Sequence, residues 1–494
     1  MKFLKKHKFK LFLFLVSLIV ILIGSESSPF YPINNWVDAN CFFSVGKGMM
    51  NGVVPFRDVY EQKGPLLFFM YGLMYLISNN TFFGVFIFEV INFYIFLYFM
   101  SKIVDMLSKH EDNYIVLPLL SFLIVTSKAF AHGGSAEEFT FAMLAYTLYT
   151  FIKFLKTKEI SNKELFLNGL MAGCIFMIKY TILGLSFGFM ALIFLDLVLD
   201  KKYKRSIEAC FIFLAGMFIP FLIFILYYLL NNGLSSFIQV YFIDNLTLYS
   251  PVHVPFTEKF EQAYIGMIRS LLDNGIIIFL LFILYAKNIG ELKINKYYMY
   301  FLLFIDIFFI YIGNRFYRYY LLPLLPFMIF PIIYFVNKYV KKEYLQKHVM
   351  TIYYLVLIIS TFNLANYRHN LFQPKESLIE YQFAKIINES PGSVLNYQTL
   401  DTGVTTFTKN NPDFYYYHQV NLDRDVYPDS HRSQDKYIFN KEAKYVVMST
   451  RRDVYYIRQN YLTLLENYNL VAHGESLSDE TLKNYYLFQV KEDL

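Results

Sequence analysis

The feature that most limits this chain is a series of apolar stretches, each close to the length a helix needs to cross a hydrocarbon layer, separated by short basic loops. A bilayer core roughly 30 Å thick takes about 20 apolar residues of helix. Such stretches fall at residues 9–24, 82–101, 114–130, 139–155, 165–178, 181–198, 206–230, 274–287, 298–313, 319–337 and 347–364. Starting from Lys2, Lys5, Lys6, Lys8 and Lys10, every second loop is basic: Lys102 and Lys109, Lys153 to Lys163, Lys201 to Arg205, Lys287 to Lys296, and Lys338 to Lys347. Short basic loops stay on the cytoplasmic side, so the pattern predicts a polytopic α-helical membrane protein of about 11 spans with its N-terminus inside. An odd number of spans sends the C-terminal segment to the outer side.

Composition agrees. Charged residues make up 17% of the chain and hydrophobic ones 56%, whereas a soluble domain carries about 25% charged residues. The net charge of +6 is spread over short clusters rather than one stripe, so membrane lipids are expected partners and nucleic acid is not. Cys41, Cys174 and Cys210 lie far apart without metal-ligand spacing, which predicts neither a disulfide framework nor a zinc site.

Two segments depart from the pattern. The basic start, the apolar run Leu11 to Ile23 and the small residues Gly24, Ser25 and Ser27 have the outline of a signal sequence, but no small-x-small cleavage site stands out and the run is read as the first span. Leu66 to Ser78 is apolar but too short to span, and is expected to lie in the outer interface. The division expected is a membrane domain over residues 1–365, with outer loops at 25–81 and 131–138, and a small extracytoplasmic α/β domain over 366–494. In that tail a helical stripe runs through Glu376 to Ser390, strands are expected at Ser393 to Leu400, Lys444 to Thr450 and Tyr485 to Val490, and a second helix at Asp453 to Tyr468.

Ionisable groups at a membrane edge are costly to keep, so a cluster of them on one side marks a candidate site. The outer loops collect Asp38, Asp58, Glu61 and Lys63 in the first and His132, Glu137 and Glu138 in the second. The first loop reads Asp38, a helix with Gly46 and Gly48, Gly52-Val53-Val54-Pro55-Phe56-Arg57-Asp58, then Glu61-Gln62-Lys63-Gly64-Pro65-Leu66. The second reads Gly133-Gly134-Ser135-Ala136-Glu137-Glu138-Phe139, and Tyr320-Leu321-Leu322-Pro323-Leu324-Leu325-Pro326 enters a late span after Arg315 and Arg318. In order and side these motifs resemble those of bacterial C-type glycosyltransferases related to the lipid A aminoarabinose transferases and protein O-mannosyltransferases. Ala39 stands where many members carry a second acid, and Gly64 follows Lys63 where the aminoarabinose branch has Pro. These departures bear on the substrate more than on the reaction.

The resemblance implies transfer of a sugar from a polyprenyl-phosphate donor to an envelope acceptor, which is a wall polymer, a glycolipid or a protein. Asp38 is then the expected general base. Lys63, Lys179, Arg315 and Arg318 are the expected contacts to the donor phosphate. Asp58, Glu61, Glu137, Glu138 and Tyr320 are expected to position the acceptor or a metal, with Glu138 the candidate ligand for a divalent cation, magnesium or manganese. A transporter or flippase of a polyprenyl-linked intermediate is the alternative, but the chain lacks the paired interrupted helices such proteins carry. Asp423-Arg424-Asp425 copies a metal-binding triplet on the wrong side for nucleotide sugars, and Asp306 is expected to be paired inside the bundle.

Overall fold

Helix starts in the apolar part are set by side chains that satisfy the first free N–H groups. The structure, a computed structural model, describes residues 2–249, 255–313, 315–341, 346–422, 424–478 and 481–491. Ser161 and Glu164 form a reciprocal capping box at the start of Asn162–Lys179. Asn295 accepts from the N–H groups of Tyr297 and Tyr298 to open Lys296–Tyr311. Asp306, buried in that helix, accepts the N–H of Leu185 at 2.9 Å in the first turn of Gly184–Leu199. One oxygen of the acid thus serves a helix start, while Oδ2 has no hydrogen-bond partner among the described residues.

Among the described residues six helices are long and apolar enough to cross a membrane: His7–Gly24, Phe83–Leu107, Asn162–Ile182, Tyr203–Leu230, Arg318–Tyr339 and Lys347–Leu364. The other expected spans are helices at Asn113–Val125, Phe141–Thr157, Gly184–Leu199, Ile276–Asn288 and Lys296–Tyr311, of 13 to 17 residues. At 1.5 Å per residue they reach roughly 20–26 Å, less than the hydrocarbon thickness. An amphipathic helix, Phe256–Asp273, precedes Ile276–Asn288 and was not expected.

The chain divides into two compact units. The first comprises Met1–Ser28, Phe86–Phe224 and His253–His369. Its helices approach closely where glycines face a neighbour's backbone: a Cβ on Gly169 would lie 1.9 Å from the Phe213 carbonyl oxygen, and one on Gly216 2.2 Å from that of Phe166. Small residues at a crossing let apolar helices gain dispersion contacts that lipid cannot supply.

The second unit comprises Pro29–Val85, Ile225–Val252 and Asn370–Leu494. The expected boundary at residue 366 falls near the start of its last stretch, and the first loop belongs to the same unit as the tail. Strands β1 (Val394–Asn396), β2 (Tyr445–Thr450), β3 (Tyr468–Ser478) and β4 (Thr481–Val490) form one sheet in the order β1-β2-β4-β3. β1 and β2 are parallel and the remaining pairs antiparallel. Alternate residues serve opposite faces. Val446, Met448, Tyr486 and Phe488 pack with Ile438 and Leu464, while Val447, Tyr485 and Leu487 pack with Phe383 and Ile387 of the helix Ile379–Glu389.

The first loop is built on two helices, Val37–Met50 and Pro65–Ile77. They meet where a Cβ on Gly46 would lie 2.6 Å from the Gly72 nitrogen and 2.8 Å from the Phe68 carbonyl oxygen. Gly46→Val should therefore force the helices apart, and overpacking of this kind costs about 1–3 kcal/mol. Thermal unfolding of the detergent-solubilised variant is the measurement, and a transition matching the parent would show that the crossing is not close-packed.

Candidate active site

In the second unit Asp38 sits in the first turn of Val37–Met50, where the helix dipole favours a carboxylate. Its Oδ2 lies 3.9 Å from Lys63 Nζ, and the two side chains are 22% and 20% exposed. Lys63 also lies over the Phe42 ring, 5.6 Å from its centroid. An acid and a cation are thus presented side by side, open enough to meet a substrate.

Glu61, two residues before Lys63, turns the other way and is buried. Its Oε1 accepts the N–H groups of Gln62 at 2.9 Å and Lys63 at 3.3 Å. Its Oε2 lies 3.0 Å from Cys41 Sγ and 3.5 Å from His418 Nε2. Burial would raise the Glu61 pKa, but the His418 hydrogen bond and the charges of Lys63 and His418 outweigh it and hold the carboxyl at about 2. For His418 burial pulls down, and Glu61 reverses the sign so that the imidazole is raised. Burial, followed by the charges of Glu61 and Asp401, pushes the Cys41 thiol up.

Asp58 is engaged in its own turn. It accepts the Val54 N–H at 2.7 Å and two guanidinium N–H groups of Arg57 at 2.7 and 2.8 Å. The Arg57 hydrogen bond, opposed by partial burial, lowers its pKa. Tyr60, between Asp58 and Glu61, donates its N–H to the Tyr415 carbonyl at 2.8 Å and its hydroxyl to Asp244 at 3.1 Å.

In the first unit the second loop folds over two glycines in the left-handed region, Gly133 at φ 79° and Gly134 at φ 74°. That conformation aims the Gly134 N–H at two buried carboxylates, Glu89 Oε1 at 2.6 Å and Glu138 Oε2 at 2.8 Å. Ser25 donates to Glu89 at 2.8 Å, and a Cβ on Gly133 would strike that Ser25 hydroxyl at 2.3 Å. His132 pairs through Nδ1 with Glu26 at 2.5 Å and stacks on Tyr367 at 3.8 Å between centroids. Glu137 is ion-paired with Lys179, whose ammonium lies 3.8 Å from the centroid of the Tyr320 ring. Arg318 is exposed and Arg315 partly so, just ahead of the buried Tyr320.

The expected residues thus fall on both units: Asp38, Asp58, Glu61 and Lys63 on one, Glu137, Glu138, Lys179, Arg315, Arg318 and Tyr320 on the other. The family model for dolichyl-phosphate-mannose-protein mannosyltransferase matches residues 62–228, which include Lys63, the second loop and Lys179. No curated protein sequence matches the chain. Among solved structures, ArnT from Cupriavidus metallidurans in the apo state aligns over 99% of this chain and 98% of its own, with TM-score 0.58 at 10% identity. ArnT from the same organism bound to undecaprenyl phosphate aligns over 98% of each chain, with TM-score 0.57 at 11% identity. The chain thus shares the fold of the ArnT structures, and its residues 62–228 match the mannosyltransferase family model.

Three polar side chains of the second unit were not anticipated from the sequence. Cys41 and His418 meet across 377 positions, a separation that no motif spacing betrays. Lys47, buried on Val37–Met50, donates to the carbonyl oxygens of Thr405 at 3.1 Å and Thr408 at 2.7 Å. Burial lowers its pKa to about 8. The one hint in the sequence is that a lysine stands where the helix is otherwise apolar and small. Asp423 lies outside the described residues.

Burial raises Glu138 above the usual carboxylate range, against the hydrogen bond from Gly134. Between the ordinary carboxyl range and that raised value the unfolded chain releases this proton while the folded chain keeps it, so stability falls as pH rises through that window and levels off above it. Glu138→Gln, which cannot ionise, should flatten the slope and gain stability relative to the parent at the upper end of the window. Unfolding midpoints across pH 5 to 8 are the measurement, and an unchanged slope would place the titration elsewhere.

Proposed function

We propose that this protein moves a sugar from a polyprenyl-phosphate donor to an envelope acceptor on the outer face of the membrane. The observation that carries the reading is the pairing of Asp38 with Lys63, a base and a phosphate-binding cation 3.9 Å apart on a partly exposed loop. The acceptor hydroxyl or amine attacks the anomeric carbon, the bond from that carbon to the phosphate oxygen breaks, and Asp38 takes up the acceptor proton. Lys63 meets the charge that develops on the departing polyprenyl phosphate. Lys179 acts with Glu137 and Tyr320 as a second positioned cation. ArnT has been crystallised with undecaprenyl phosphate, which supports a lipid phosphate as the leaving group. The basic loops of the sequence support an outer location for Asp38 and for the tail.

The reading uses no ion at Glu138. A magnesium or manganese ion there would have Glu89 as its second carboxylate, yet magnesium prefers six oxygens and keeps several waters, and both carboxylates are fully buried. The single Gly134 N–H that both carboxylates accept holds them together, which suits a shared proton better.

The test is incubation of purified protein with polyprenyl-phosphate sugars and envelope fractions, following release of polyprenyl phosphate. Sugar appearing on an acceptor is the expected result. Movement of the intact sugar lipid across a proteoliposome membrane without cleavage would overturn the reading in favour of a transporter.

A further inference from the structure

The proposed transfer step uses neither Cys41, Glu61 nor His418, yet they converge in the second unit with three different ligand atoms facing one another. Cys41 Sγ lies 3.0 Å from Glu61 Oε2 and 3.4 Å from His418 Nε2, and the last two are 3.5 Å apart. A tetrahedral zinc ion, with its sulfur at about 2.3 Å and its nitrogen and oxygen at about 2.0–2.1 Å, separates such ligand atoms by roughly 3.3–3.6 Å. Two of the three separations already fall in that range, and the third needs a shift of a few tenths of an ångström.

The surroundings are those of a ligand set. His418 Nδ1 lies 2.7 Å from the Gln419 carbonyl oxygen, so it carries a proton, and an ion that displaced the proton on Nε2 would meet that nitrogen's lone pair facing the cluster. Glu61 is fixed from behind by the N–H groups of Gln62 and Lys63. Tyr417 donates its hydroxyl to Cys41 Sγ at 3.3 Å, the outer hydrogen bond a thiolate ligand takes. All three ligand residues are buried, and Asp401 beside them is fully buried with Oδ2 lacking a hydrogen-bond partner among the described residues. Two buried carboxylates and a thiol beside a single imidazole leave an excess of acidic groups that a divalent cation would neutralise.

We propose that Cys41, Glu61 and His418 form a zinc site that fastens the first loop to the C-terminal segment. Thiolate, imidazole and carboxylate together select zinc over magnesium or manganese. The absence of metal-ligand spacing among the cysteines does not bear on it, because the ligands are gathered by folding rather than by a local motif. Cys41 follows Asp38 by three residues on the same helix and Glu61 precedes Lys63 by two, so the ion would brace both halves of the pair on which the proposed reaction rests. The metal assignment itself is independent of that reaction.

The experiment is metal analysis of the full chain, purified without chelator and dialysed against zinc and then against metal-free buffer. About one zinc ion per chain is expected. Cys41→Ser, which keeps a hydroxyl to hydrogen-bond Glu61, should retain roughly tenfold less zinc or lower still, and so should His418→Gln, tested in parallel in case either variant fails to fold. In the cobalt-substituted parent a thiolate-to-cobalt charge-transfer band is expected, and its loss in Cys41→Ser identifies the sulfur. A parent that holds no zinc and shows no such band would reduce the cluster to a hydrogen-bonded Glu61–His418 pair. Zinc retained equally by both variants would place the ion elsewhere, and either result overturns the proposal.

Discussion

Asp38→Asn is expected to slow sugar transfer by about a hundred- to ten-thousandfold while leaving donor affinity nearly unchanged. Asparagine keeps the shape and much of the hydrogen bonding of aspartate but cannot take up the acceptor proton. The helix Val37–Met50 begins after Trp36, so Asp38 stands inside the first turn rather than at the N-cap, and asparagine there would serve a purely structural role nearly as well. Separation of the charged pair with Lys63 at a partly exposed position costs about 1 kcal/mol or less, far short of the expected drop in rate. Single-turnover measurement with saturating donor isolates the chemical step, and turnover like that of the parent would sink the assignment of Asp38 as base.

Lys63→Ala should act on the other substrate. A lost contact to a charged group costs about 1.5–3 kcal/mol, or roughly tenfold to a hundredfold in binding. Polyprenyl-phosphate affinity should weaken by that amount, and Arg318→Ala, tested separately, should give a similar loss. The fold of the loop should survive, because Glu61 is held low by His418 as well as by Lys63 and keeps its backbone hydrogen bonds. Unchanged donor affinity in both variants would take these residues out of the donor site.

How far the sequence carries depends on whether a feature is written in local pattern. The apolar stretches were legible because hydrophobicity is additive along a helix, but helix ends were not, and Asn113–Val125 stops well short of the residues assigned to it. β2 and β4 were legible because both their faces are buried and both read as apolar runs. β3 was missed: it is an edge strand of mixed polarity, bonded on one side to β4. Asp429–Phe439 was missed for the opposite reason, since its buried face is mostly polar, with Ser430, His431 and Gln434 turned inward beside Ile438. Asp38 and Lys63 were legible as a pair because they share one loop, whereas Glu89, the partner of Glu138, was hidden inside an apparent span. Cys41 and His418 carry no local signal of any kind.

The way Lys47 is held has a consequence for how such proteins can be recombined. Its ammonium is anchored to the backbone carbonyls of Thr405 and Thr408, and Tyr60 is anchored to the carbonyl of Tyr415. Main-chain acceptors are blind to side-chain identity but unforgiving of loop length, so the tail can drift in sequence yet tolerates no insertion between 405 and 415 that moves those oxygens. A chimera that grafts the tail of one transferase onto the membrane helices of another would strand a buried lysine without acceptors. Loop 29–85 and tail 370–494 are therefore a single cassette, to be exchanged together or not at all.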